Sequence, residues 1–123
     1  MKKSEREAES FLPLTPAMFN ILLALSDGER HGYGIMQEVE AASGGRMRLG
    51  PGTLYGSVKR MLADGLILES DERPDPALDD ERRRYYRLTE LGRRVAVAEA
   101  QRLAGLVSVA RAKRLLTKTQ VGS

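Results

Sequence analysis

The segment LGPGTLYGSVKRMLADGLI, Leu49 to Ile67, decides how this chain folds. Gly50 can cap a helix, Pro51 suits the first helical position, and Gly65 supplies the left-handed residue that ends a helix. The spacing therefore predicts a helix over residues 51–64. At 100° per residue, its apolar side chains gather on one side: Leu54, Val58, Met61 and Leu62.

The opposite side of this helix is small and basic. It presents Gly52, Gly56, Lys59, Arg60 and Ala63, with Tyr55 and Ser57 at its borders. Glycine inside a helix costs about 1 kcal/mol relative to alanine, so Gly56 needs a reason. Close approach of the helix to another surface is one reason, and a tolerated surface glycine is the alternative.

Two helices and a short strand are predicted before this segment. Thr15-Pro16 begins the first helix, which Asp27-Gly28 stops, and the second runs from His31-Gly32 to Gly44-Gly45. Residues 46–49 alternate polar and apolar side chains, which predicts a very short strand with Met47 and Leu49 turned inward.

A hairpin and a long helix are predicted after it. Residues 66–70 and 84–88 have strand character, and the proline-containing, charged stretch between them forms the hairpin tip. Of the adjacent Tyr85 and Tyr86, one belongs in the core, because neighbouring strand residues face opposite ways. Thr89 caps a last helix that extends to about Leu116.

This order of elements defines a mainly α fold with a small β-hairpin. It is a winged helix-turn-helix followed by one long C-terminal helix. In such folds the third helix enters the DNA major groove and the hairpin wing lies along the backbone or the minor groove. Lys59 and Arg60 would then neutralise phosphates or contact guanine edges.

Composition excludes several other functions. The 123 residues contain no cysteine and one histidine, His31, which we interpret as a helix-entry residue rather than a general base. We therefore expect no metal, no cofactor and no enzyme activity. The first ten residues resemble neither a signal peptide nor a membrane span, so we expect a cytoplasmic protein without a membrane partner.

Charge is distributed unevenly along the chain. Residues 1–81 carry nine Lys/Arg against fifteen Asp/Glu, whereas residues 82–123 carry eleven against two. The basic C-terminal part suggests an anionic partner, although such a run is often only a solvated helix face.

Three motifs make the chain resemble the PadR-type transcriptional regulators: HGYGIMQEVE at 31–40, LGPGTLYGSVKRMLADGLI at 49–67 and RRYYRLTELGRR at 83–94. The resemblance implies a homodimeric DNA-binding regulator, commonly a repressor released by a small molecule, and one C-terminal helix fits the short subtype. Carried over by position, the family's DNA-contacting helix matches residues 51–62, with Thr53, Tyr55, Ser57 and Lys59 as the expected contacts, and its basic wing strand matches Arg83 and Arg84. Together with Pro51 and Arg60 of the same helix, these are the predicted DNA-binding residues.

The chain departs from that family at two places. Gly56 stands where many members have proline, and the wing tip at 74–81 is long and acidic. Phosphates repel Asp79, Asp80 and Glu81, so the tip is expected to point away from DNA or to pair with neighbouring arginines. If the tip pairs with these arginines, Arg82 to Arg84 would only neutralise the negative charge of the acids at 79–81 and would not contact DNA.

The last helix is expected to form the dimer. Its apolar residues lie broadly along one side: Val95, Ala98, Leu103, Leu106, Val107 and Ala110. Packing within the chain is the alternative. The predicted organisation is a charged N-terminal arm at 1–11, a winged helix-turn-helix domain at 12–89, a dimerisation helix at 90–117 and a tail at 118–123.

The function predicted from the sequence is that of a sequence-specific transcriptional regulator. We expect a homodimeric repressor that binds a double-stranded DNA operator with inverted-repeat symmetry and is released by a small-molecule effector. The alternative is a winged-helix protein-interaction module that does not bind DNA directly, because the same fold hosts both uses.

Overall fold

The computed structural model describes residues 3–70, 73–74 and 82–117 of the chain. In these parts the helices are α1 (Lys3–Glu9), α2 (Pro16–Leu25), α3 (Gly32–Ala42), α4 (Pro51–Ala63) and α5 (Glu90–Ala112). The strands are β1 (Arg30–His31), β2 (Ile67–Glu69), β3 (Arg73–Pro74), β4 (Arg82–Arg83) and β5 (Tyr85–Leu88). The predicted winged helix-turn-helix with a long C-terminal helix is confirmed.

A small antiparallel sheet joins the wing to the helices. Its strand order is β1-β5-β2, with Leu68 opposite Arg87 in one pair and His31 opposite Tyr85 in the other. Strands β3 and β4 pair with each other and extend the hairpin beyond this sheet. Beyond Pro74, the acidic wing tip predicted for 74–81 lies outside the described residues, as does the tail at 118–123.

The strand predicted for residues 46–49 is wrong. Met47 donates its N–H to the Ser43 hydroxyl oxygen at 2.9 Å, so this stretch turns back on the end of α3 instead of pairing with a strand. Residues 30–31 supply the third strand because they lie beside the edge of β5 that β2 leaves open. Alternation at 46–49 is nevertheless real, since Leu49 is buried and Arg48 is exposed.

Side-chain caps start three of the helices. Thr15 Oγ1 accepts the Met18 N–H, His31 Nδ1 accepts the Gly34 N–H at 2.9 Å, and Thr89 Oγ1 accepts the Gly92 N–H at 2.9 Å. These bonds satisfy amide groups that have no partner inside a helix. The interpretation of His31 as a helix-entry residue is confirmed.

Left-handed residues end the helices near the predicted places. Gly44 and Gly65 adopt φ values of 63° and 76°, which glycine tolerates without strain. Helix α5 ends at Ala112, four residues before the predicted end at Leu116. Arg114 has a φ of 63°, so the backbone has left the helical conformation there.

The hydrophobic core lies between α2, α3, α4, the sheet and the first half of α5. Its fully buried side chains include Ile21, Leu22, Leu25, Ile35, Leu54, Met61, Leu66, Ile67 and Val95. Tyr86 joins this core at 5% exposure, whereas Tyr85 stays partly exposed, as the alternation of strand residues predicts.

The N-terminal residues form more than a charged arm. Residues 3–9 fold as α1, which packs against α5 and buries Ala8 to 2% exposure. Phe11 and Leu12 also pack against the core. The first half of α5 and the N-terminal segment therefore complete the same packed unit as the winged helix-turn-helix.

Candidate nucleic-acid interface

Helix α4 buries one face and exposes the other. Leu54, Val58 and Met61 are buried in the core. Of the predicted DNA-binding residues on this helix, Ser57 is half-buried and the others lie on the exposed side: Pro51, Thr53, Tyr55, Lys59 and Arg60. The fold thus brings these residues together on one outward surface, while their contact with DNA stays a prediction.

The glycines of α4 have no packing role inside the chain. A Cβ atom added at Gly52 or Gly56 would meet no other atom within 4 Å. Intramolecular crowding therefore does not explain Gly56, and the outer face of α4 carries little side-chain bulk. This arrangement permits the helix backbone to come close to an external surface.

Tyr55 is held at the junction of α4, α3 and the sheet. A Cβ atom on Gly32, the first residue of α3, would overlap the Tyr55 hydroxyl, so this glycine makes room for the phenol. The ring is still 48% exposed. Tyr86 lies nearby, and burial, followed by the charges of Glu69 and Tyr55, raises the pKa of the Tyr86 hydroxyl. Tyr55 is therefore a positioned side chain with an accessible face.

Positive charge on α4 is accessible to solvent. Lys59 is exposed and makes no ion pair within the described part of the chain. Arg60 Nε lies 3.9 Å from Asp64 Oδ2 across one helical turn, with the arginine side chain 76% exposed. An exposed pair at this distance contributes at most about 1 kcal/mol, so Arg60 can exchange Asp64 for a phosphate.

The wing contributes Arg84 at the edge of the sheet. Arg84 Nε lies 3.2 Å from Glu69 Oε1 on β2, and its side chain is 61% exposed. This arginine therefore has an acidic neighbour on β2, whereas the acids at 79–81, which the sequence suggested as its partners, lie outside the described residues. The backbone of Arg83 lies in β4.

The start of α5 is fixed to the end of α4. Thr89 donates its N–H to the Leu66 carbonyl oxygen at 3.1 Å and its hydroxyl to the Gly65 carbonyl oxygen at 2.6 Å. A Cβ atom on Gly92 would overlap the same Leu66 carbonyl group. The backbone of α5 at Gly92 therefore packs directly against the backbone of the α4–β2 turn.

The residues predicted for dimerisation divide into two groups. Val95 is completely buried in the core of its own chain, so its side chain has no surface to offer a second subunit. Ala98 packs partly against the same core. Farther along α5, Leu106 is 55% exposed and Leu103, Val107 and Ala110 are partly exposed. These last four residues form the apolar stripe of α5, and their role in a dimer stays a prediction.

Glu99 is a structural residue that the sequence patterns did not single out. It is 1% exposed, and its carboxylate accepts the Leu14 N–H at 2.8 Å and hydrogen bonds from the Arg102 guanidinium. The Arg102 hydrogen bond and that of Leu14 lower its pKa, against the opposing effect of burial. In the sequence, Glu99 follows the apolar Val95 by four residues and so lies on the same face of the helix, which could have indicated a buried acid. Glu99 ties the segment before α2 to α5.

The fold and this surface define a class of protein: a winged helix-turn-helix protein in which helix α4 presents an exposed, basic face. Among the described residues, no helix is both long enough and apolar enough to cross a membrane. The described part of the chain also contains no group of three or more aspartate, glutamate, histidine or cysteine side chains that could hold a metal ion.

Residues 21–98 match the model of the Transcriptional regulator PadR-like family. The chain belongs to this family, whose members are transcriptional regulators rather than enzymes. It is 39% identical over 83 residues to the transcriptional regulator Rv3488 of Mycobacterium tuberculosis, covering 68% of this chain and 70% of that protein. It is also 39% identical over 90 residues to an uncharacterised 37.1 kDa protein of transposon TN4556 from Streptomyces fradiae, covering 73% of this chain but only 24% of that longer protein.

Solved structures share the fold at lower identity. A PadR family transcription regulator from Clostridium difficile superposes with a TM-score of 0.67 at 24% identity, covering 79% of this chain and 96% of that one. PadR of Bacillus subtilis, solved in complex with operator DNA, gives a TM-score of 0.57 at 21% identity, covering 66% of this chain and 44% of that one.

Proposed function

We propose that this chain is a homodimeric, sequence-specific repressor that binds an inverted-repeat operator and is released by a small-molecule effector. The observation that carries the DNA-binding part is the outer face of α4, where Thr53, Tyr55 and Lys59 are exposed beside glycines that leave the helix backbone uncovered. The operator complex of the similar Bacillus subtilis protein supports the same use of the fold.

The apolar stripe of α5 supports the dimer. Leu103, Leu106, Val107 and Ala110 follow at i, i+3, i+4 and i+7, and within the described chain they lack the cover that Val95 receives. Two-fold pairing of this stripe would present α4 twice. The operator half-sites should then lie about 10 or 20 base pairs apart.

A groove between α1 and α5 supports a place for the effector. It has a volume of about 470 Å³ and is lined by side chains that include Glu5, Ala8, Arg94 and Val97. This volume is in the range of small-molecule sites. Because α5 is fixed to the α4–β2 turn through Thr89 and Gly92, a molecule that shifts α5 would change the separation of the two α4 helices.

The DNA-binding proposal is tested by selecting bound sequences from random duplexes and measuring the affinity of variants by fluorescence anisotropy. We expect an inverted repeat. Lys59→Ala should weaken operator and random DNA alike and reduce the salt slope by about one per subunit. Tyr55→Phe should cost about 1 kcal/mol without changing the preferred sequence. Unchanged affinity in both variants would remove α4 from the interface and favour the protein-interaction alternative.

The dimer is tested in the full chain, because truncation after Arg94 would remove Val95 and Glu99 from the fold. Sedimentation velocity of Leu106→Glu should show a monomer, since a carboxylate would be buried in the apolar stripe. Ser108→Glu, on the exposed side of α5 away from the stripe, is the charge-matched control and should remain a dimer. If both variants dimerise like the parent chain, the stripe is not the interface.

A further inference from the structure

Two arginines precede α4 and point outward. In the turn from α3 to α4, Met47 and Leu49 pack inward, whereas Arg46 and Arg48 are exposed. We define these two side chains as the arginine pair. Their positive charges are not needed by the core, because the adjacent Met47 and Leu49 supply the packing of this turn.

The backbone of this turn is held firmly. Gly45 donates its N–H to the Glu40 carbonyl oxygen at 2.8 Å, and Met47 donates its N–H to the Ser43 hydroxyl oxygen at 2.9 Å. The left-handed φ of 82° at Gly45 sets the direction in which the chain leaves α3. The arginine pair is thereby carried on an ordered turn, so little backbone entropy is lost when a ligand binds.

Glu40 positions one member of the pair. Arg48 Nε lies 3.0 Å from Glu40 Oε1, and the arginine side chain remains 76% exposed. Arg46 forms no ion pair with any residue that the structure describes. The turn therefore presents one free guanidinium and one that is paired but still largely accessible.

The pair and Tyr55 lie at opposite ends of α3. Tyr55 packs over Gly32, the first residue of α3, whereas the pair follows Ala42, its last residue. At 1.5 Å per residue these ends are about 15 Å apart. The DNA major groove is about 12 Å wide, so the two ends of α3 match the two phosphate walls of a groove that α4 would enter.

We propose that Arg46 and Arg48 bind the DNA backbone along one wall of the groove, opposite the wall that Tyr55 and the wing contact. This inference rests on the proposed DNA-binding function and adds a second phosphate-binding surface to it. Arginine suits this role because its planar guanidinium donates several hydrogen bonds to phosphate oxygens. Such contacts fix the register of α4 on the duplex without reading bases.

The test compares full-length variants on operator and random duplexes over a salt series. Arg46→Ala and Arg48→Ala should each weaken both DNAs about tenfold at low salt. Each should also reduce the salt slope by about 0.9 per lost phosphate, or about two for a two-fold dimer. Lys113→Ala is the charge-matched control: Lys113 follows the last residue of α5, about 35 Å along this helix from its junction with α4, and we expect less than a twofold change.

Glu40→Gln distinguishes phosphate binding from a purely structural ion pair. If Arg48 binds phosphate, removing the competing carboxylate should strengthen binding to random DNA about twofold to threefold, opposite in sign to Arg48→Ala. If the Arg48–Glu40 pair only stabilises the turn, both variants should lower the stability of the fold and leave DNA affinity alone, which would overturn the proposal.

Lys59→Ala separates this proposal from the proposed function. If both arginine variants behave like Lys113→Ala while Lys59→Ala still weakens binding, the arginine pair lies away from DNA and the function stands. If Lys59→Ala is also without effect, the DNA-binding function itself fails together with this inference.

Discussion

Gly56→Ala should stabilise the protein and weaken its binding to the operator at the same time. The new methyl group meets no atom within 4 Å, so the folded chain accommodates it without strain. Replacing a helical glycine by alanine reduces the backbone entropy lost on folding and adds about 0.5–1 kcal/mol of stability. For a chain of 123 residues this raises Tm by about 2–5 °C.

The same methyl group would stand between α4 and the groove floor. Overfilling a closely packed contact costs about 1–3 kcal/mol, so operator affinity should fall about fivefold to a hundredfold. Random DNA should be affected less, because binding without a specific sequence relies on phosphate contacts rather than on close groove contact. Thermal unfolding and fluorescence anisotropy on both duplexes measure the two effects.

Gly105→Ala provides the matched control. Gly105 lies inside α5 on the side away from the apolar stripe, and a Cβ atom there also meets nothing within 4 Å. It should raise Tm similarly and leave DNA affinity unchanged. A loss of stability in Gly56→Ala would show that Gly56 has a role inside the chain, and a gain in stability with unchanged operator affinity would show that α4 does not approach DNA closely at this point.

Three further variants test the internal contacts. Gly92→Ala should destabilise the fold by about 1–3 kcal/mol in urea unfolding, because its methyl group meets the Leu66 carbonyl; an unchanged midpoint would contradict the tight contact. Glu99→Gln should cost about 1.5–3 kcal/mol at neutral pH. Because the pKa of Glu99 is lowered in the folded chain, its carboxylate stabilises the fold at a pH above the ordinary glutamate pKa of about 4.3, and this stabilisation is lost as the pH falls below that value. If Glu99→Gln lowers the free energy of unfolding equally at pH 7 and pH 3, this reasoning is refuted. His31→Ala should cost about 1 kcal/mol through loss of the α3 cap and His31→Asn should recover most of it, whereas equal losses would assign the effect to the ring contact with Tyr85.

The helices of the winged helix-turn-helix and their limits are encoded locally. Pro51 and Gly65 bracket α4, Thr89 starts α5, and the 3.6-residue period separates Leu54 and Val58 from Lys59. These signals act within one or two turns of the chain, so they can be found without knowing what lies nearby. The exposed face of α4 and its candidate DNA-binding residues follow from the same periodicity.

Contacts between residues that are distant in sequence could be identified only from the tertiary structure. The third strand forms at residues 30–31 rather than 46–49 because β5 lies beside the former, and alternation alone does not say which segment has a neighbour. Val95 is buried in the core of its own chain, and Glu99 accepts a hydrogen bond from the N–H of Leu14, 85 residues away in sequence. The packing of α5 therefore assigns Val95 to the core instead of the predicted dimer surface and gives Glu99 a structural role that its sequence position did not indicate. The sequence by itself determined the helices of the winged helix-turn-helix and the charged face of α4, because these depend on neighbours along the chain. Only the fold decided which strand completes the sheet, which part of α5 remains uncovered and how firmly α5 is joined to α4. These properties depend on burial and hydrogen bonds between segments that are far apart in sequence.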